Sequence, residues 1–276
     1  MVLFKRSHNS DNKIKNIIYK YFGFPNLGTR VRGNAVFSLV KIKKNAKGLD
    51  IGCGKAYYGM ELQKRGVDVS YIDLLVSTKD KDIEKVKESF KRENFNFNFS
   101  IADATKIPFK DNTFDIVIIA DVIEHIKDED KAIEEIKRVL KPGGYFIAST
   151  PAEGFHSGKF KKYFRYIHKN TFLKKLDIWN VEQLYPESQM KAKGHLREYS
   201  LKKWQELIRK HDMILNSSKE EYVFFSAFFE ELAHTFKIFD KYSAYTFLIF
   251  YPFTFIDRLI PIRGTGIAIK IYKKMS

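Results

Sequence analysis

Four acidic residues and two glycines supply the first chemistry legible in this chain. Asp50-Ile51-Gly52-Cys53-Gly54-Lys55-Ala56 follows an apolar stretch and precedes a helical pattern. Glycines at such a strand-to-helix turn let the backbone approach a ligand, and the helix start offers N–H groups to it. A dinucleotide-binding fingerprint would want a third glycine at position 57, where Tyr57 stands. Further on, Asp73, Asp103 and Asp121 each fall at the end of an apolar run. In an open parallel sheet such strand ends face one crevice, where ligands bind. Asp73 is placed to grip the two hydroxyls of a ribose, which takes an ionised carboxylate with two acceptor oxygens.

These groups converge only if strands and helices alternate around them, and the middle of the chain has that pattern. Gly48–Ile51, Val67–Ile72, Phe114–Ala120 and Tyr145–Thr150 read as strands, and Phe95, Phe97, Phe99 and Ile101 alternate with polar residues as in a half-buried strand. Helical patterns run from Ala56 to Arg65, Lys79 to Arg92 and Asp128 to Leu140, the last stopped by Pro142-Gly143-Gly144. The fold class is therefore α/β, with a mostly parallel sheet. After Pro151 the alternation breaks into a basic, aromatic-dotted insertion over 152–199, in which residues 160–166 read as a basic amphipathic helix. A helix over Ser200–Asp212 and two strands, Met213–Ser217 and Gly266–Tyr272, complete the pattern.

The chain has 276 residues, enough for a well-formed core without disulfides, and its single cysteine, Cys53, excludes an intramolecular disulfide and a multi-cysteine zinc site. Met1 to Asn16 is polar and basic with no apolar core of a leader, so the reading places the protein on the cytoplasmic side. Net charge is +16 and unevenly spread: residues 1–48 carry +10, 49–151 carry −3 and 152–212 carry +7. Such an excess suits a polyanion, either an anionic membrane surface or nucleic acid, although it would also serve solubility alone. Tyr222–Ile262 holds 14 aromatics in 41 residues, and Tyr242–Ile256 is a 15-residue run without a charge, interrupted by Pro252. That is short of the roughly 20 residues a spanning helix needs. It fits an element lying in the membrane interface, a lid over a greasy pocket, or a dimer interface.

The ordered blocks Leu49-Asp50-Ile51-Gly52-Cys53-Gly54, Ile72-Asp73, Ala102-Asp103-Ala104-Thr105-Lys106-Ile107-Pro108-Phe109, Asn112-Thr113-Phe114-Asp115-Ile116-Val117, Asp121-Val122-Ile123-Glu124-His125 and Arg138-Val139-Leu140-Lys141-Pro142-Gly143-Gly144 resemble the class I S-adenosylmethionine-dependent methyltransferases, in particular the subgroup acting on small molecules and lipids. A later block, Gly194-His195-Leu196-Arg197-Glu198-Tyr199-Ser200, looks like the segment before the last helix of that subgroup. One departure is Ala56, where the family usually has the third glycine of its loop. The resemblance implies a Rossmann-like seven-stranded, mostly parallel sheet with helices on both faces. It divides the chain into a basic N-terminal arm with helices over 1–44 and a methyltransferase domain over 45–276. The latter carries the basic insertion 152–199 after strand five and an aromatic helical insertion 219–263 before the last strand.

Carried over, the resemblance implies S-adenosylmethionine as cofactor and gives each site residue a role. Gly52 and Gly54 would pass under the cofactor, Asp50 would help hold its ammonium end, and Asp73 would take the ribose. Asp103 and the Ala104 N–H would take the adenine, and Asp121 would lie under the sulfonium. His125 and His195 are the candidate bases for a hydroxyl acceptor, and Arg197 could bind an anionic headgroup. The remaining histidines show no metal-ligand spacing, so no metal is expected. The leading expectation is methyl transfer to a hydrophobic or lipid-linked acceptor by a peripheral protein at the inner membrane face. The alternatives are an RNA methyltransferase using the basic arm and a non-catalytic cofactor-binding scaffold.

Overall fold

Ile116, Val117, Ile118 and Ile119 are all essentially inaccessible to solvent, and they alternate between two separate apolar cores. Continuous burial of this kind is what a central strand covered on both faces requires. The computed structural model describes residues 27–74, 80–152, 161–180, 184, 194–221, 225–236, 249–259 and 266–275. Helix α1 (Leu27–Leu39) leads into β1 (Lys47–Ile51), α2 (Tyr57–Gln63), β2 (Asp68–Asp73), α3 (Asp80–Arg92) and β3 (Asn98–Ile101). Then come β4 (Phe114–Ala120), α4 (Glu129–Val139), β5 (Leu140–Pro151) and α5 (Lys161–Asn170). The chain closes with α6 (Leu201–Lys210), β6 (Met213–Glu221), α7 (Phe225–Thr235) and β7 (Gly266–Lys273).

The seven strands form one sheet in the order β3-β2-β1-β4-β5-β7-β6, with β1 to β5 parallel and β7 antiparallel to both neighbours. The order reverses beside β1 and β4, which opens the crevice at their carboxyl ends. One face is packed by Ile133 and Ile136 of α4 and by Trp204, Leu207 and Ile208 of α6. The other is packed by Val36 and Phe37 of α1, Leu62 of α2, and Val86 and Phe90 of α3. Helix α4 is capped by the Asp128 carboxylate, which accepts the Lys131 N–H, and α6 by Ser200, which accepts the Lys203 N–H. Burying Trp204 also requires a partner for its indole, and Nε1 donates to Thr150 Oγ1 at 3.2 Å.

Several boundaries differ from the sequence reading. Strand β3 begins at Asn98, and Phe97 ahead of it packs on Tyr71 and Phe90, with ring centroids 5.0 and 4.6 Å apart. The alternation there reports burial more than extended pairing. Pro142-Gly143-Gly144 ends the helix but not the regular structure. The chain turns directly into β5 from Leu140, with a register shift opposite Phe114 and Ile116 and Gly143 at φ 71°. An irregular stretch of ladder tolerates the proline's missing N–H. Strand β6 continues to Glu221, beyond the end expected at Ser217. Helix α5 runs on to Asn170. Within the basic N-terminal segment, residues 27–39 are a packed helix, and Tyr145 Oη fastens the following turn by donating to Lys41 O and accepting its N–H. The remainder of that segment, 1–26, lies outside the described residues, as do most of 181–193 and all of 237–248.

Candidate functional site

The loop after β1 is held from below by β2. Gly52 N–H and Cys53 N–H both donate to Ile72 O, at 2.8 and 3.1 Å, and Gly54 N–H donates to Asp73 Oδ2 at 2.8 Å. Gly52 sits at φ +63°, and a Cβ there would come within 2.4 Å of Val122 Cγ2, so neither conformation nor space admits a side chain. Gly54, at φ +47°, has nothing within 4 Å of an added Cβ. The loop therefore presents bare backbone with open room above it. Ala56 completes the turn in the left-handed region, at φ 56° and ψ 31°, and is fully buried. A glycine would hold that conformation without strain, which accounts for the family's preference at this position.

Asp50 lies beneath the loop, 2 % exposed, and its Oδ2 accepts the Gly59 N–H of α2 at 2.8 Å. Burial pushes its carboxyl up to about 7, a rise opposed by the Gly59 bond and reinforced by the charge of Asp73. The Cys53 thiol, 8 % exposed, is pushed up strongly by burial and by the two aspartates, so it is no thiolate nucleophile.

Asp73 and Asp103 end β2 and follow β3, side by side in the sheet. Asp103 Oδ1 accepts from both the N–H and the hydroxyl of Thr105 at 2.8 Å, fixing a turn that leaves Asp103 exposed and Ala104 buried. Asp121 follows β4 at φ 54° and forms an ion pair with Arg32 of α1. The negative charge anticipated at this strand end is thus shared with a cation from the N-terminal helix. Arg32 was legible in the sequence only as part of a basic excess.

The donor set suits S-adenosylmethionine on structural grounds: bare loop backbone with open space at Gly54, two carboxylates at neighbouring strand ends, and a buried acid under the loop. Asp73, the acid expected to grip the ribose, accepts the loop's Gly54 N–H through Oδ2.

His125 and His195, 70 residues apart in sequence, meet with ring centroids 4.8 Å apart. Leu196 N–H donates to Glu124 O at 2.9 Å, and His125 Nδ1 lies 3.0 Å from Gly194 O. Arg197 pairs with Glu129 at 2.7 Å and donates to Lys127 O at 3.1 Å, while the Tyr199 hydroxyl also bonds Glu129. The guanidinium anticipated for a headgroup thus anchors the segment 194–199 to the residues after β4. Nothing in local sequence spacing announces this pairing, since the second segment arrives from the far side of a 68-residue separation between Lys127 and His195.

Outside the sheet, the two additions pack on each other. Lys161 N–H donates to Glu231 Oε2 at 2.8 Å, Asn180 N–H to Thr235 O at 2.8 Å, and Phe236 packs on Phe164 and Trp179. Phe229 stacks on Phe250 at 4.3 Å, and Asp257 Oδ1 accepts the Phe225 N–H at 2.7 Å. Phe253, Phe255 and Ile256 nonetheless stay 42–50 % exposed, and Tyr163 and Tyr166 of α5 are 60 and 69 % exposed. No helix among the described residues is long and apolar enough to cross a membrane.

Comparison with known proteins agrees with this geometry. Residues 49–148 match the family model described as a methyltransferase domain. A demethylmenaquinone methyltransferase of Staphylococcus carnosus is 32 % identical over 136 residues, 48 % of this chain and 55 % of its own. The sterol 4-C-methyltransferase strm-1 of Caenorhabditis elegans is 32 % identical over 110 residues, 39 % of this chain and 32 % of its own. The chain thus spans about half or less of the length of the curated relatives it matches. Among solved structures, a sarcosine dimethylglycine methyltransferase from Galdieria sulphuraria has the same fold, with a TM-score of 0.53 at 16 % identity over 84 % of this chain and 80 % of that one. The glycine loop, the acids at successive strand ends and the sheet order that positions them thus lie in a segment, residues 49–148, that matches a methyltransferase domain, within a fold shared with solved methyltransferases.

Proposed function

We propose that this protein transfers the methyl group of S-adenosylmethionine to a hydrophobic or lipid-linked acceptor, working peripherally at the cytoplasmic face of an anionic membrane. The observation that carries the acceptor class is the accessory layer of α5, α7 and residues 249–259, which leaves Phe253, Phe255, Ile256, Tyr163 and Tyr166 in contact with solvent. Aromatic rings with nearby lysines, such as Lys162 over the Tyr163 ring at 4.9 Å, settle at the level of lipid headgroups. Relatives named for menaquinone and sterol methylation are in keeping with an acceptor of this kind.

When bound, the cofactor supplies a sulfonium methyl that is already activated, so the protein's share is binding, orientation and exclusion of water. The Gly52–Gly54 backbone would pass beneath the methionine portion. Asp73 and Asp103 would fix the nucleoside, each accepting hydrogen bonds through its carboxyl oxygens. Asp50 stabilises the loop through Gly59 and adds negative charge under a cationic ligand. Helix α1 closes this side of the site through Arg32 and Asp121.

The test is transfer of radiolabelled methyl into anionic vesicles loaded with total cell lipid, together with co-sedimentation of the protein. Label in the organic phase and protein in the pellet support the reading. Label confined to RNA, or none in lipid with the cofactor still bound, overturns the acceptor class.

A further inference from the structure

We propose that Glu124, His125 and His195 form a divalent-cation site beside the cofactor crevice. Each offers one ligand atom, and these three atoms lie within 4.8 Å of one another. A cation about 2.0–2.2 Å from each nitrogen and oxygen would draw neighbouring ligands to roughly 3 Å, a closure within reach of small side-chain rotations.

The surroundings prepare these groups as ligands. Gly194 O can only accept, so in the hydrogen bond at 3.0 Å His125 Nδ1 is the donor and Nε2 is the nitrogen left to offer a cation. A backbone carbonyl holding the other ring nitrogen is the usual support of a metal-bound imidazole. Glu124 is fully buried in the helical turn Ile123–His125, and its backbone carbonyl accepts the Leu196 N–H at 2.9 Å. That bond and the Arg197–Glu129 ion pair lock the segment carrying His195 against the one carrying the other two ligands. The site follows directly on Val122, which packs against Gly52 of the cofactor loop.

Two imidazoles and one carboxylate favour first-row transition cations such as Zn²⁺, Mn²⁺, Fe²⁺ or Co²⁺ over Mg²⁺ and Ca²⁺, which prefer all-oxygen ligands. Three protein ligands leave at least one coordination position for an oxygen from outside. The assignment gives the two histidines to a cation in place of the proton abstraction anticipated from sequence. It stands apart from the methyl-transfer reading, because the ligands exist whatever the acceptor is.

The experiment uses the full chain without an affinity tag, stripped by chelator and titrated with Co²⁺. A saturable visible d–d spectrum at one equivalent, abolished by Zn²⁺ and untouched by Mg²⁺, is the expected result. His195→Ala should weaken Co²⁺ binding by at least about tenfold, with His125→Ala doing the same, since even loss of a supporting partner costs that much. Glu124 is buried and its replacement endangers folding, so the two histidine variants carry the test, with circular dichroism confirming the fold. Should either unfold, the glutamine substitution at the same position replaces it. No saturable spectrum, or binding unchanged in folded variants of both histidines, overturns the site. S-adenosylhomocysteine binding measured in the same samples reports separately on the cofactor reading.

Discussion

The cofactor half of this protein and its accessory layer are built under different constraints. Between β1 and β5, backbone geometry dictates residue type: Gly52 has no room for a Cβ, and Asp50 must meet the Gly59 N–H inside the fold. In the layer formed by α5, α7 and residues 249–259, aromatic side chains meet one another at ring separations from 4.3 to 6.3 Å, and many sequences would satisfy such contacts. On the proposed reading, the cofactor would fix the first region, whereas an acceptor particular to this protein would leave the second free to diverge. The family model accordingly matches residues 49–148 and does not extend over the accessory layer.

If that contrast is right, the cofactor half should break on a single methyl group. Gly52→Ala meets both the positive φ and the Val122 side chain, and we expect about 2–4 kcal/mol of destabilisation in urea unfolding. Calorimetry should show S-adenosylhomocysteine binding lost along with it. A wild-type affinity would mean that the loop is not the cofactor cradle.

The accessory layer should instead lose a surface property while the cofactor half stays intact. Each large apolar side chain withdrawn from water contributes about 1.5–3 kcal/mol when fully buried. Replacing Phe253, Phe255 and Ile256 together by serine should therefore reduce co-sedimentation with anionic vesicles by at least about tenfold, even with only partial burial of each in lipid. Cofactor affinity should not change. Equal vesicle binding by the triple variant would remove this surface from the membrane account.

Acidity sharpens the comparison further, because the cofactor half holds a carboxyl raised by burial. With Asp50 near 7, its charge is present above that pH and lost below it. Affinity for the cationic cofactor should rise roughly tenfold between pH 6 and pH 8 and level off above. Asp50→Asn should flatten the profile. For folding the sign is opposite. Between the unfolded value of 3.8 and about 7 the native state keeps a proton that the unfolded chain releases, so this group's contribution to stability falls as pH rises through that window. A pH-independent affinity would take Asp50 out of cofactor recognition.

The smallest effect belongs to the one departure from the family loop. Ala56 holds φ 56° where glycine is customary, and Ala56→Gly should relieve about 1 kcal/mol of strain, offset in part by unfolded-state entropy. Chemical denaturation should show a higher midpoint with an unchanged slope. A lower midpoint would place the methyl group's packing above its strain.

What the sequence made legible follows the same division. Strand β4 was readable to the residue, because a strand covered on both faces must be apolar throughout. The acids at strand ends were readable because the sheet brings them to one crevice. Arg32 facing Asp121, and His195 facing His125, were not readable, since each pairing joins segments about 70 residues apart or more. The ion pair of Arg197 with Glu129 was not readable for a related reason: a lone basic residue carries no sign of which acid it meets. Strand β5 took in a Pro-Gly-Gly run because a register shift absorbs it, a tertiary accommodation that local rules count as a stop.

The most direct test of the central claim is methyl transfer from radiolabelled S-adenosylmethionine into a cell extract, fractionated afterwards into lipid, RNA, protein and small molecules, with Asp73→Ala as the blank. The account predicts label in the lipid phase with the wild type and none with the variant. Label in RNA or protein instead, or lipid labelling that survives Asp73→Ala, would contradict it.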